Sequence, residues 1–274
     1  MLKFDEYLAS IHAYLCADGY VIRNPITQKQ KYYYIGLRNT NILLLRDFQH
    51  KFHKLFGIKP RITKDGRAVV QNKRIYHELT EDFSYYSREW NIPKGLSLKC
   101  IKSWLRSFFD CEGWVFVKAA KNRHIGADSV NLKGLSDIRK QLMHMGIKTK
   151  MKFIRKKEIY RLIIYGKENI VKFRDNIGFL HPDKMAKLNK AIISYKNNEW
   201  EFPNNINELK KFVSKKIKLA FSRRRKRIYS VIKQNLVRLA EYSLKMYKLD
   251  SKIYGPIKNG NGTIYYELNF INNR

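Results

Sequence analysis

The chain has 274 residues, more than one average domain and too few for three independent ones. A hydrophobic content of 44% with 14% aromatics is enough for a sizeable core and excludes wholesale disorder. The 56 Lys and Arg against 23 Asp and Glu leave a net charge of +33, which repels itself and calls for a polyanionic partner, nucleic acid ahead of an anionic membrane surface. No run of about 18 apolar residues spans a bilayer, and the start MLKFDEY has no basic stretch leading into an apolar one. Cys16, Cys100 and Cys111 form no CxxC pair. A reducing, intracellular setting (cytoplasm, nucleoid or organelle matrix) is therefore expected, without secretion and without a membrane.

In chain order, residues 4–18 predict a helix, followed by strands at Tyr20–Asn24 and Lys31–Leu37 across the loop Pro25–Gln30. Asn41 is placed to cap a helix over Ile42–Phe56, where Ile42, Leu45, Phe48, Phe52 and Leu55 recur at helical spacing and Gly57 ends the run. Asp65-Gly66 marks a hairpin, and Tyr76–Tyr86 suits a short helix. The same order then recurs: helix Leu98–Cys111, strands Trp114–Ala119 and His124–Asn131, helix Asp137–Met145 ended by Gly146, hairpin Ile147–Ile154 with Ile159–Tyr165, and helix Glu168–Ile177. GIKPRI at 57–62 matches GIKTKM at 146–151, so the chain is internally duplicated. Residues 1–92 and 96–195 form the two repeats, with Pro93-Lys94-Gly95 between them, and 196–274 form a basic extension.

The two leading helices end alike. IHAYLCADG at 11–19 and LRSFFDCEG at 105–113 superpose Asp18-Gly19 on Glu112-Gly113, an offset of 94. Ala13 and Ala17 in one helix, and Ser107 and Cys111 in the other, make a face of small side chains four residues apart. Such faces let two backbones approach closely, and the glycines suit C-caps. Both helices then deliver a carboxylate to one place, where the charges repel unless a cation lies between them. Oxygen ligands of this kind suit Mg²⁺ and phosphodiester chemistry. An acid at a helix C-terminus also opposes the macrodipole, which disfavours reading the pair as merely solvated.

The hairpins carry the charge. Lys148, Lys150 and Lys152 alternate with apolar residues at period two, as Arg61 and Thr63 do around Ile62, giving one basic and one packed face. Two-stranded ribbons fit the major groove, where Arg, Lys, Gln and Asn read base edges. Candidates in the first half are Arg23, Gln28, Lys29, Gln30, Lys31, Arg67, Gln71 and Lys73; in the second they are Lys118, Lys121, Arg123, Arg155, Lys156 and Arg161. His50 and His53 share a helical face suited to a surface or DNA-backbone contact rather than zinc. In the extension, Arg223, Arg224 and Arg225 belong to a run dense enough for phosphate contact. EYSLKMYKL at 241–249 resembles DFQHKFHKL at 47–55, and a hairpin turning at Asn259–Gly262 follows. The extension is either a half repeat without a catalytic helix or an unrelated helix-hairpin.

IHAYLCADG, LRSFFDCEG and the elements after each resemble the LAGLIDADG homing endonucleases in their monomeric two-repeat form, over residues 1 to about 195. The resemblance implies an α+β saddle of two pseudo-symmetric αββαββα repeats with antiparallel sheets on DNA. It implies that Asp18 and Glu112, with the carbonyls of Ala17 and Cys111, hold two or three Mg²⁺ ions (Mn²⁺ substituting) beneath the minor groove for double-strand hydrolysis at a long target site. It also implies water-ordering groups at strand ends: Arg38 in the first repeat, Asn131 with Lys133 nearby in the second. Intron encoding is expected over an intein origin, because no splicing-type start or terminal His-Asn pair is seen. The alternatives are an RNA maturase acting on intron RNA through the same fold, and a non-catalytic DNA-binding regulator. Asp110 falls off the metal face and is expected to be structural.

Overall fold

The computed structural model describes residues 3–25, 27–118, 122–195, 200–222, 226–259 and 264–271. The chain separates into two compact units, Met1–Ile192 and Ile193–Arg274.

In the first unit, α1 (Glu6–Cys16) starts at Asp5, whose carboxylate accepts the Leu8 N–H at 2.8 Å. It is followed by β1 (Gly19–Arg23), β2 (Tyr33–Arg38), α2 (Ile42–Phe56), β3 (Arg61–Ile62), β4 (Arg67–Gln71) and α3 (Lys73–Thr80). The second repeat runs α4 (Leu98–Glu112), β5 (Gly113–Lys118), β6 (Asn122–Ser129), α5 (Leu132–His144), β7 (Thr149–Ile154), β8 (Ile159–Tyr165) and α6 (Lys167–Asn176), and α7 (Pro182–Ile193) closes the unit. Both sheets are antiparallel and share one topology, β1-β2-β4-β3 and β5-β6-β8-β7. This is the α+β, doubly repeated architecture the sequence predicts. Helix α1 is buried on all sides from Leu8 to Cys16, because it packs on α2, on its own sheet and on α4 at once.

The capping chemistry explains where predicted boundaries hold and where they move. Asn41 caps α2 through the Leu43 N–H, and Gly57 ends it in the left-handed region at φ 71°. Helix α3 starts earlier than Tyr76, because Asn72 caps it through the Ile75 N–H, and it stops at Thr80 rather than Tyr86. Helix α5 begins at Leu132, not Asp137: Asn131 caps it, so β6 ends at Ser129. Gly134 is accommodated there because the Trp90 ring lies over it, 2.3 Å from where a Cβ would stand.

Gly19 and Gly113 serve a purpose other than the expected C-cap turn. Gly113 has extended backbone (φ −78°, ψ 153°), and a Cβ on it would lie 2.4 Å from the Phe109 carbonyl oxygen. One on Gly19 would lie 2.3 Å from the Leu15 Cα. Glycine is required because each first strand folds straight back against the helix it leaves.

The second unit holds α8 (Ile206–Phe221), β9 (Arg227–Ser230), α9 (Lys233–Tyr247), β10 (Ser251–Lys258) and β11 (Ile264–Phe270), with sheet order β10-β11-β9. Trp200, Phe202, Leu209, Val213, Leu236, Leu239 and Leu268 give it a core of its own. Gly260 and Gly262 at the expected hairpin tip lie outside the described residues.

The two kinds of glycine separate in stability. Gly113→Ala is expected to cost about 2–4 kcal/mol through backbone displacement. Gly57→Ala meets nothing within 4 Å and costs only its left-handed backbone, about 1 kcal/mol. Urea unfolding of both variants measures the difference; equal losses would show that the strand does not press on α4.

Candidate acidic centre and nucleic-acid face

Helices α1 and α4 are joined by small and polar groups. The Ser10 and Ser107 hydroxyls share a hydrogen bond of 2.5 Å, both buried, and Ala13 is fully buried beside them. The Trp104 indole N–H donates to His12 Nδ1 at 3.0 Å. Burial holds His12 down to about 3, so the ring is neutral and Nδ1 is free to accept. Its Nε2 and the Tyr85 hydroxyl, two ring neighbours, are buried without partners.

This seam brings the two acids together. Asp18 Oδ2 accepts from Asn39 Nδ2 at 2.7 Å, and the Cys111 thiol of the other helix donates to the Asp18 carboxylate. Burial pushes the Glu112 carboxyl up to about 7, the Asp18 charge adds to that rise, and Lys184 opposes it. Lys184, on the first turn of α7, places its ammonium on the end of α4, donating to the carbonyls of Phe109 (3.3 Å), Asp110 (2.6 Å) and Cys111 (3.0 Å). In return the Asp110 carboxylate accepts the N–H groups of Leu180 and His181 at 2.9–3.1 Å, the structural role expected for it. A cleft of about 720 Å³, walled by Tyr20, Phe83, Tyr85 and Trp90, opens beside Glu112 and Asp128.

Two carboxylates from separate helices, with the Asp18 charge acting on a buried Glu112, fit a shared hard cation with oxygen ligands. Among the described residues no group of three or more His, Cys, Asp or Glu gathers at any point, which leaves the acid pair with backbone oxygens as the donor set. Of the two expected carbonyl ligands, that of Cys111 accepts from Lys184 at 3.0 Å. Ala17 closes α1 as its C-cap, next to Asp18.

The water-ordering residues also need correction. Strand register pairs Gly19 with Leu37 and Gly113 with Ala127, so the counterpart of Arg38 is Asp128. The assignment to Asn131 is three residues off. Asn131 is 2% exposed, caps α5 through the Gly134 N–H, and donates its amide to the Trp90 carbonyl at 2.6 Å. Lys133 is exposed on the first turn of α5. Asp128 is held by both nitrogens of the Arg161 fork at 2.6–2.7 Å. Arg38 is exposed, its backbone N–H bonded to the Asp18 carbonyl at 3.1 Å.

Alternate residues define the outer faces. Tyr20, Arg38, Arg61, Arg67 and Gln71 share the outer parity of the first sheet; Trp114, His124, Lys150, Lys152 and Arg161 share that of the second. Arg123 falls on the opposite parity with Ile125 and Ala127 and is 6% exposed, so it belongs to the interior and not to a DNA face. Arg23, Gln28, Lys29, Gln30, Lys31, Lys73, Lys148, Arg155 and Lys156 are exposed at strand ends, turns or a helix start. Several cations already have protein partners: Arg67 with Asp65, Lys31 with the Pro25 and Gln28 carbonyls. Thr63 is half-buried, its hydroxyl donating to Asp65. The Lys118 side chain and Lys121, Arg223, Arg224 and Arg225 lie outside the described residues.

The sequence reading missed Asn39, Asp128 and Lys184. It also missed a matched pair of aromatics: Tyr20 lies over Gly36 and Trp114 over Gly126, each glycine's would-be Cβ falling 2.2–2.6 Å from the ring or its hydroxyl. The aromatic directly after each helix-ending glycine was the available signal.

A repeated αββαββα unit whose two leading helices pack together and end in coupled acids defines a class of two-repeat α+β proteins with a shared acidic centre. The chain belongs to the LAGLIDADG family: the profile of the LAGLIDADG-like domain matches residues 5–87 and again 99–178. It is 29% identical over 227 residues to the replication factor C small subunit of Thermococcus kodakarensis, covering 80% of this chain and 25% of that protein. It is 25% identical over 135 residues to the homing endonuclease I-ApeI of Aeropyrum pernix, covering 46% of this chain and 60% of that protein. The chain thus spans a quarter of the first relative's length and less than two thirds of the second's. The crystal structure of I-DmoI in complex with DNA and Ca shares the fold, with a TM-score of 0.50 and 17% identity over 67% of this chain and 99% of that one.

A pH dependence follows from Glu112. Its folded value near 7 lies above the 4.5 of an exposed glutamate, so the folded state holds an extra proton between those limits and stability falls as pH rises through them. In EDTA, thermal unfolding should lose on the order of 3 kcal/mol between pH 4.5 and 7.5 from this group. Glu112→Gln should flatten the profile, leaving the smaller fall due to Asp110, which burial raises to about 6. A profile unchanged by Glu112→Gln would place that carboxylate in water.

Proposed function

We propose that the chain is a divalent-metal-dependent endonuclease that cuts both strands of a specific DNA site as a monomer, in the service of a mobile element. The observation that carries this reading is the coupling of Asp18 to Glu112 at the adjoining ends of α1 and α4, in a chain whose net charge is +33. An anionic point on a cationic DNA-binding surface opposes binding, and it makes sense as a cation seat. The endonuclease relatives support the reading. The replication-factor relative holds its matched segment within a much longer polypeptide, so the intron-borne origin expected from the ends of the chain does not enter the proposal.

Asp18, Glu112 and the carbonyls of Ala17 and Cys111 would hold Mg²⁺. When bound, the ion supplies Lewis-acid activation of water and charge stabilisation at the leaving oxygen. The chain's own residues do the rest. Asn39 fixes the orientation of the Asp18 carboxylate. Arg38, exposed at the end of β2, offers a guanidinium to a phosphate in one half, and in the other Arg161 brings one, held by Asp128. Lys184 cancels part of the negative charge gathered at the end of α4. The outer sheet faces bind the duplex through Arg61, Lys150 and Lys152.

A site recovered by selection from a randomised duplex pool gives the substrate for the test. Asp18→Asn and Glu112→Gln should each slow Mg²⁺-dependent cutting at least about a thousandfold while leaving DNA affinity unchanged or higher. Full cutting by either variant overturns the assignment. Lys184→Gln keeps a donor for the α4 carbonyls but removes the charge. Its Ca²⁺ affinity by calorimetry should rise about tenfold, and an unchanged affinity would reduce Lys184 to a helix cap.

A further inference from the structure

Three separate observations align the second unit with the two catalytic repeats. The first is topology. Its sheet order β10-β11-β9 repeats β3-β4-β2 and β7-β8-β6, with α8 before the first strand and α9 between β9 and β10, as in a repeat that shows, among the described residues, neither the opening strand nor the closing helix. Among the described residues no strand precedes β9, which begins six positions after the end of α8.

The second is a chain of local hydrogen bonds at equivalent positions. Asn39, Ser129 and Ser230 each accept, through the side chain, the backbone N–H two residues on, at 2.8, 3.1 and 3.0 Å, where the next helix starts. That helix ends in a left-handed residue each time: Gly57, Gly146 and Lys248, at φ 71°, 68° and 55°. Four residues after it stand Arg61, Lys150 and Lys252, all exposed.

The third lies ahead of the leading helix. Glu89-Trp90-Asn91-Ile92-Pro93 is echoed by Glu199-Trp200-Glu201-Phe202-Pro203. The carbonyl of each tryptophan accepts a buried asparagine amide from the start of the following repeat helix, Asn131 in one case and Asn235 in the other. Asn235 reaches it from the first turn rather than the cap.

Aligned this way, the second unit lacks what the acid centre needs. Helix α8 ends Ala220-Phe221-Ser222 with no carboxylate. Arg227 stands where the repeats have Gly36 and Gly126, and among the described residues no first strand pairs with β9; Tyr229 stands where they have Arg38 and Asp128. Arg227, Tyr229, Lys252 and Tyr254 share the outer parity of this sheet, with Tyr229 37% and Tyr254 43% exposed, and Arg227 is paired with Glu267 at 2.9 Å. Residues 193–274 contain 18 Lys and Arg against 6 Asp and Glu.

We propose that the second unit is a third repeat that has lost its acid and its opening strand and keeps only the binding task, taking duplex DNA on the outer face of β9, β11 and β10. This goes beyond cleavage, though it shares with that reading the DNA partner. Charge complementarity selects the partner, since a sheet face set in a unit this basic meets phosphate. The tyrosines flatten against the backbone between the cations.

The test uses the full chain and a mixed-sequence duplex of about 40 base pairs in Ca²⁺, read by fluorescence anisotropy over a salt series. Lys252→Glu with Tyr229→Ala and Tyr254→Ala should weaken binding about tenfold and lower the salt slope by about one. Lys210→Glu, which makes the same charge change on the exposed side of α8, should weaken it less than about twofold. Lys252→Gln repeats the test for a chain that does not tolerate the triple change, with the same direction expected. Equal losses in the face variants and the Lys210→Glu control, or none, overturn the proposal. So does a loss confined to single-stranded RNA. Absence of any duplex binding by the unaltered chain would overturn the endonuclease reading and this one together, whereas wild-type binding with an indifferent face overturns this one alone.

Discussion

The structure depends on one electrostatic conflict: two carboxylates held close at the adjoining ends of two helices whose own dipoles are negative there. Close approach requires small side chains along the seam, and the Ser10–Ser107 hydrogen bond with Ala13 beside it supplies them. The Trp104–His12 bond adds a second link across the same seam. Everything near the acids responds to their charge. Asn39 donates to one, a thiol reaches the same carboxylate, and Lys184 lies across the last carbonyls of α4. Burial would neutralise a lone carboxyl by raising its affinity for a proton. The chain instead keeps two of them under a partial counter-charge, which is the state a bridging cation completes.

Duplication made the two halves alike in topology and left them unlike in chemistry. The first half sets an exposed Arg38 and an amide beside its acid. The second sets Asp128, already committed to Arg161, and adds a lysine from a helix that follows the repeat. Glu112 accordingly feels the negative charge of Asp18 and Asp128 and the positive charge of Lys184. One chain carrying both repeats, unlike two identical repeats, is free to set its two acids in different local fields.

What could be read from the sequence was local. Asn41, Gly57 and the Asp65-Gly66 turn act within a few residues of themselves, and α2 and the β3–β4 hairpin stand where those signals place them. The repeat and its two acids were legible because duplication prints the same local signals twice. Asn131 was misread because a capping asparagine and a strand-end polar residue look alike until strand register is known. Arg123 was misread because a two-residue period does not say which face is inward when a strand is entered from a turn. Lys184 had no signal at all: its meaning comes from an ion–carbonyl contact more than 70 residues away in sequence.

The third, acid-free unit bears on why the fold tolerates such changes. A buried tryptophan carbonyl without a donor would cost the stability of an unmade hydrogen bond in the core, so the asparagine that serves it is retained even where its position on the helix has moved by a few residues. The acid has no such anchor. It sits at a helix end where, without a cation, it is unfavourable to the fold, so a repeat without it is the more stable. The acid is the one feature that packing does not maintain. Residues 193–274 match this expectation: Trp200 and its asparagine are present, and the end of α8 carries no acid.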